Sequence, residues 1–69
     1  MLIVAQTDLI VNVDHVKDIY LDEGRIYADF IDNSEFMLGE YGNEHRAGEV
    51  LEQIAQSYGA VKTYRMPKE

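Results

Sequence analysis

Residues 16–31 read VKDIYLDEGRIYADFI, and this stretch decides the fold. Apolar and polar side chains alternate with a period of two on both sides of Glu23-Gly24, which is typical of two strands joined by a tight hairpin. Glycine is favoured where such a turn needs a positive φ. With Glu23-Gly24 as a two-residue loop, one face of the hairpin is apolar, and Tyr20 lies opposite Tyr27 on the other face.

The same alternation extends to both sides of the hairpin. It predicts strands at residues 1–5, 9–14, 16–21, 25–31 and 35–41. A loop at residues 32–34 would place Phe30 opposite Phe36 and Ala28 opposite Leu38. The pattern then predicts one inward-facing apolar set: Ile19, Leu21, Ile26, Ala28, Phe30, Phe36 and Leu38.

After Gly42 the hydrophobic period changes from two to that of a helix. The apolar residues of this segment are Ala47, Val50, Leu51, Ile54, Ala55 and Tyr58. Asn43 is a good N-cap, and Gly59 is the expected C′ residue in the left-handed conformation. Residues 60–66 are β-prone and predict a short edge strand, which Pro67 would end.

These patterns predict one α+β domain that fills residues 1–69. It is an antiparallel β-meander of four to five strands, flat or curled, packed on one C-terminal amphipathic helix and followed by the short edge strand. A domain this small buries only about 60% of its unfolded surface, so help from a partner subunit is plausible.

The charge and composition exclude several classes of function. Thirteen acidic and six basic residues give a net charge of −7. Residues 1–61 hold twelve acids and three bases, or −9, and residues 62–69 hold three bases and one acid, or +2. Such a body repels nucleic acid. The absence of cysteine, of a signal-peptide pattern and of a long apolar run favours a cytoplasmic protein without disulfides or a membrane span.

The residues that could carry chemistry form no recognisable catalytic or metal motif. His15 and His45 are far apart in sequence and occur in neither an HxH nor an HExxH pattern, so we expect no metal site. Asp18 and Asp29 lie opposite each other in the hairpin register and could form a carboxylate pair, but surface charge explains them more simply. No glycine-rich nucleotide motif occurs. We therefore expect no cofactor, no small-molecule substrate and no enzymatic activity.

The second face of the predicted sheet is unusually apolar for a solvated surface. The alternation places on it Val16, Tyr20, Tyr27, Ile31 and Met37, with Gly39 opposite Tyr27. Tyrosine and methionine are enriched in interface cores, which makes this face a candidate surface for dimerisation or partner docking. Alternatively, the sheet curls and other segments cover the face as a second core layer.

The whole chain resembles a family of small uncharacterised proteins found in Gram-positive bacteria and in their phages and mobile elements. The resemblance rests on short motifs: Leu2-Ile3-Val4 with Gln6, Ile10-Val11-Asn12, Leu38-Gly39-Glu40-Tyr41, Arg46-Ala47 with Val50-Leu51, and Met66-Pro67. These motifs are structural, so the resemblance supports the fold and implies no activity.

The sequence thus leads to three functional hypotheses. The first is a non-enzymatic protein-interaction module that binds a protein partner or itself as a homodimer. The second is an acidic accessory protein of a phage or mobile element that binds a basic protein partner. The third is a small hydrolase-like enzyme on the Asp18/Asp29 face, which requires a concave pocket there.

Overall fold

The computed structural model describes residues 1–69 and contains two three-stranded sheets and one α-helix. In chain order the elements are β1 (Leu2–Val4), β2 (Ile10–Asn12), a 3-10 turn (Val13–His15), β3 (Val16–Asp22), β4 (Arg25–Phe30), β5 (Glu35–Glu40), α1 (Glu44–Ser57) and β6 (Thr63–Arg65). The strand orders are β2-β1-β6 and β3-β4-β5. The predicted α+β class is confirmed, whereas the prediction of one antiparallel meander is wrong.

The 3-10 turn is the reason that the strands divide into two sheets. Asn12 caps this turn, because its side-chain Oδ1 accepts a hydrogen bond from the N–H of Asp14 at 3.0 Å. The N–H of Val13 donates to the carbonyl of Met1 at 3.1 Å. The chain therefore turns away from the β1–β2 pair at residues 13–15, before β3 begins. The free edge of β1 is taken by β6 instead, in parallel pairing with Ile3 opposite Tyr64.

The β3–β4 hairpin has the predicted register. Leu21 lies opposite Ile26, and Tyr20 lies opposite Tyr27. Both loop residues have positive φ, 51° at Glu23 and 80° at Gly24. Two consecutive positive φ values are those of a type I′ turn, whose twist matches that of the flanking strands.

Replacing Glu23 by asparagine should stabilise this hairpin. A side chain other than asparagine, aspartate or glycine is strained at positive φ, and Asn-Gly is the preferred type I′ pair. We expect Glu23→Asn to raise the free energy of unfolding by up to ~1 kcal/mol. Urea denaturation followed by circular dichroism measures this. A destabilised Glu23→Asn variant would contradict the assigned turn.

The β4–β5 register differs from the prediction by two residues. The loop consists of residues 31–33 rather than 32–34, closed by a 2.8 Å hydrogen bond from the N–H of Phe30 to the carbonyl of Ser34. Asn33 occupies the left-handed position with φ 71°, which asparagine tolerates well. Phe36 therefore lies opposite Ala28, not opposite Phe30. A shift of two residues leaves every side chain on its predicted face.

A register shift near Leu38 changes the pairing of the next residues. Met37 lies opposite Tyr27, and Gly39 lies opposite Ile26. The prediction that Gly39 lies opposite Tyr27 is therefore wrong. The extra residue is Leu38, which is buried in the core.

The two sheets and the helix share one hydrophobic core. The predicted inward set lies either in this core or packed against it. The core consists of Ile3, Ala5, Val11, Ile26, Ala28, Leu38, Ala47, Val50, Ile54 and Met66. The helix caps are those expected: Asn43 accepts from the N–H of Arg46 at 2.8 Å, and Gly59 has φ 80°.

The apolar stripe of α1 is wider than the part that the core covers. Ala55 is exposed, and Tyr58 retains 67% of its accessible surface. The prediction that both residues belong to the buried face is wrong. No helix of the structure is long and apolar enough to cross a bilayer.

The chain after β6 is fixed by polar contacts to Gln6 and Tyr41. Gln6 Nε2 donates to the carbonyls of Glu40, Pro67 and Lys68 at 3.1, 3.1 and 3.2 Å. The Tyr41 hydroxyl donates to the Pro67 carbonyl at 2.8 Å. Burial raises the pKa of Tyr41 to about 12. These bonds connect β5 to residues 66–68, which we call the C-terminal segment.

Candidate functional site

The outer face of the β3-β4-β5 sheet, on the side away from α1, is organised in three rows that cross the strands. The acidic row consists of Asp18, Asp29 and Glu35. The central row consists of Tyr20, Tyr27 and Met37. The third row consists of Asp22, Arg25 and Glu40, in which Arg25 Nε lies 2.8 Å from Glu40 Oε2. The face carries five carboxylates and one guanidinium, or −4.

The central row presents a pair of aromatic rings to solvent. The rings of Tyr20 and Tyr27 stack with a centroid distance of 5.4 Å and an interplanar angle of 21°. Met37 follows on the next strand and is 38% exposed. The Tyr20 hydroxyl donates a hydrogen bond to Glu35, which raises the pKa of that hydroxyl. The stacked rings therefore lie between the acidic row and the third row, and the hydrogen bond to Glu35 joins them to the acidic row.

The acidic row brings like charges together without an ion pair. None of its three carboxylates takes part in an ion pair of the chain. Partial desolvation, a hydrogen bond to Asp18 and the charges of Asp18 and Glu35 raise the pKa of Asp29. Lys17 opposes this shift, but its Nζ donates to Asn33 Oδ1 at 3.1 Å. The charged form of Asp29 is thus destabilised by its surroundings, and a nearby cation would stabilise it.

The structure brings together three of the five residues predicted for the outer face. Tyr20, Tyr27 and Met37 form the central row. Val16 does not lie with them: a register shift at Lys17 pairs Val16 with Phe30 and turns its side chain towards the core. The extra residue of such a bulge inverts the alternation that precedes it. Ile31 is 64% exposed but lies in the loop beyond the paired strands.

The sequence pattern did not lead to a prediction that Glu35 lies on this face. With the correct register, the alternation places Glu35 opposite Asp29 and completes the acidic row. Asp18 and Asp29 were recognised as facing each other, and this pairing is confirmed.

The features required for a hydrolase or a metal site are not found at these residues. The Asp18/Asp29 hypothesis needs a concave pocket lined by both carboxylates; Asp18 lines one of the three cavities, but Asp29 lines none. The structure contains no group of three or more His, Cys, Asp or Glu side chains arranged to hold a metal ion. His45 lies on the exposed surface of α1, 3.9 Å from Glu49, and His15 is exposed in the 3-10 turn.

Comparisons of the chain with protein-family models, with curated proteins and with solved structures found no match. The resemblance to small proteins of Gram-positive bacteria and their phages therefore stays a prediction.

Proposed function

We propose that the chain is a protein-interaction module whose outer sheet face binds a basic segment of a partner protein. The observation that carries the proposal is the row of three carboxylates without an ion pair, set directly beside the stacked pair of tyrosines. A guanidinium or ammonium group bound there would meet both an anionic and an aromatic surface.

The acidic row supports this proposal through its unfavourable charge arrangement. Like charges directly opposite each other on neighbouring strands destabilise a sheet. Asp18 faces Asp29, and Asp29 faces Glu35. A cationic side chain from a partner would relieve this repulsion, and the gain would appear only in the complex.

The central row supports it through its two half-buried, stacked tyrosine rings. Arginine and lysine bind over tyrosine faces by cation–π attraction. Met37 adds a flexible apolar contact at the end of the same row. The three side chains combine the residue types enriched in interface cores with a charged rim.

Self-association through this face is a second candidate function, supported by its half-buried tyrosines and its exposed methionine. It is weaker, because a second copy would bring two surfaces of −4 together. We therefore favour a basic partner, and a solution mass measured by light scattering at low and high salt separates the two. A dimer that persists at low salt would favour self-association.

We expect Asp29→Asn to stabilise the chain at neutral pH. Because the pKa of Asp29 is raised on folding, the folded state binds the proton more tightly than the unfolded state does. The free energy of unfolding therefore falls as pH rises from the ordinary pKa of 3.8 through the raised value, and it stays lower above that range. The variant lacks this penalty. The free energy of unfolding of the variant should exceed that of the natural chain by the full amount at pH 7, and this difference should vanish in acid. Urea denaturation at a series of pH values measures it.

The same substitution should weaken binding of a basic probe. We expect a capped peptide of alternating arginine and alanine to shift the amide resonances of Tyr20, Tyr27 and Met37 in NMR titrations, with affinity falling at high salt. Asp29→Asn should weaken it about fivefold. Glu52→Gln, which removes the same charge from α1, is the matched control. Equal effects of both substitutions, or binding of the glutamate version of the peptide, would contradict the proposal.

A further inference from the structure

The free edge of β3 carries peptide groups that have no partner in the chain. β3 is the longest strand and pairs only with β4. The N–H of Val16 donates to the Val13 carbonyl. For residues 17–22, no backbone hydrogen bond outside the regular elements and no bond between a side chain and the backbone is formed. Alternate N–H and C=O groups of an edge strand point away from the sheet and can pair with a further strand.

The opposite edge of the same sheet is covered at one end, at Leu38 and Glu40, whereas β3 has no such cover. The N–H of Gln6 donates to the Leu38 carbonyl at 2.9 Å, and the N–H of Glu40 donates to Gln6 Oε1 at 2.7 Å. Gln6 thus occupies the edge of β5, while no residue occupies that of β3.

An apolar groove lies between β3 and α1. It has a volume of about 470 Å³, and eight of its ten lining residues are hydrophobic. Val16 and Ile19 form the apolar part of its β3 side, and Lys17 and Asp18 are its two charged lining residues. Leu51, Ala55 and Tyr58 belong to the helix side. Ala55 and Tyr58 are the part of the apolar stripe that the core leaves uncovered, whereas Leu51 is half-buried against the core. A strand added to β3 would direct alternate side chains towards this groove.

The charges beside the edge indicate the chemistry of the occupant. The remaining side chains of an added strand would lie next to the outer-face residues of β3, among them Asp18 and Asp22. A second copy of β3, paired antiparallel about Tyr20, would place Asp18 opposite Asp22 at both ends of the pairing, which is unfavourable. An extended segment with basic residues at these positions would instead be attracted.

We propose that β3 and the groove form a binding site for an extended segment of a partner protein in which apolar and basic residues alternate. The segment adds as a fourth strand along β3, with apolar side chains in the groove and basic side chains beside Asp18 and Asp22. This mode is β-strand addition, in which main-chain bonds supply affinity and alternate side chains supply specificity. The site shares Asp18 and Asp22 with the outer face, but its edge peptide groups and its groove are separate from the tyrosine row, so it can be tested apart from the proposed function.

The test uses the full chain and a capped heptapeptide in which four arginines alternate with valine, leucine and valine. We expect binding by isothermal titration calorimetry and protection of β3 amides from hydrogen exchange. Methylating alternate peptide nitrogens on the pairing edge should weaken binding at least about tenfold, because it removes the main-chain donors. Replacing valine and leucine by alanine should weaken it similarly, by emptying the groove.

Two variants of α1 distinguish groove binding from general attraction. Ala55→Arg places a long cation in the groove at an exposed position, and we expect at least about tenfold weaker binding. Gln56→Arg adds the same charge at the neighbouring exposed position outside the groove lining and should change binding less than about twofold.

The inference is overturned if the N-methylated peptide binds as tightly as its parent, or if Ala55→Arg and Gln56→Arg behave alike. It is also overturned if the chain alone forms a dimer whose β3 amides are protected. Repeating the titration with Asp29→Asn separates this site from the outer face. If Asp29→Asn leaves the affinity for the heptapeptide unchanged and N-methylation still weakens binding, the edge site is supported. This holds even if the outer face binds no basic peptide.

Discussion

Met66→Ala is expected to lose about 2–5 kcal/mol of unfolding free energy, the range for truncating a buried methionine in a core. The Met66 side chain is only 1% exposed and belongs to the shared hydrophobic core. Its N–H donates to the Val4 carbonyl at 2.8 Å, which aligns the C-terminal segment with β1. At about 0.05–0.15 kcal/mol per residue, a chain of this length has roughly 3–10 kcal/mol in all, so the substitution removes a large share of its stability.

Urea denaturation followed by circular dichroism measures the loss, and two variants serve as controls. Met66→Leu keeps the volume and should cost less than about 1.5 kcal/mol. Arg65→Ala, at the neighbouring exposed position, removes only a surface contact to Asp8 at 3.5 Å and should cost at most about 1 kcal/mol. If Met66→Ala proved no worse than Arg65→Ala, the C-terminal segment would not belong to the core in solution.

Gly39→Ala is expected to cost about 1–3 kcal/mol, the usual penalty for overpacking. A Cβ atom at residue 39 would lie 3.0 Å from the ring and hydroxyl of Tyr41 and 3.2 Å from Cδ of Gln6. Neither neighbour can move freely, because both hydrogen-bond to the Pro67 carbonyl. Relieving the contact would therefore loosen the C-terminal segment, and the amides of residues 66–68 should exchange faster with solvent.

Gly48→Ala is the matched control for this substitution. An added Cβ at Gly48, in the middle of α1, meets no atom within 4 Å. Alanine is the better helix former, so this variant should gain about 0.5–1 kcal/mol. If both substitutions changed the free energy of unfolding equally and only slightly, Tyr41 and Gln6 would be able to move away from the added Cβ without destabilising the chain.

Much of the fold could be predicted because local patterns determine it. The type I′ loop fixed the β3–β4 register, and the N-cap at Asn43 with Gly59 marked the helix ends. The inward apolar set was also correct, because an error of two residues in β4–β5 pairing keeps each side chain on its face. Periodicity is insensitive to such even shifts.

Features that depend on distant or irregular contacts could not be predicted in the same way. The bulge at Lys17 moved Val16 to the core side, since a single extra residue inverts the alternation. The parallel pairing of β1 with β6 joins segments about sixty residues apart, and no local pattern specifies it. Of the candidate site, the tyrosine row was predictable, whereas Glu35 in the acidic row required the true register.

The position of β6 beside β1 has a consequence for biosynthesis. Leu2 pairs with Thr63, and the core includes both Ile3 and Met66. The core therefore cannot close before residue 66 has been synthesised, and β1 keeps an unpaired edge until β6 pairs with it. Contacts this far apart in sequence slow folding, since long loops must close before they are stabilised. The β3–β4 hairpin, whose contacts are local, is the part that can form during synthesis.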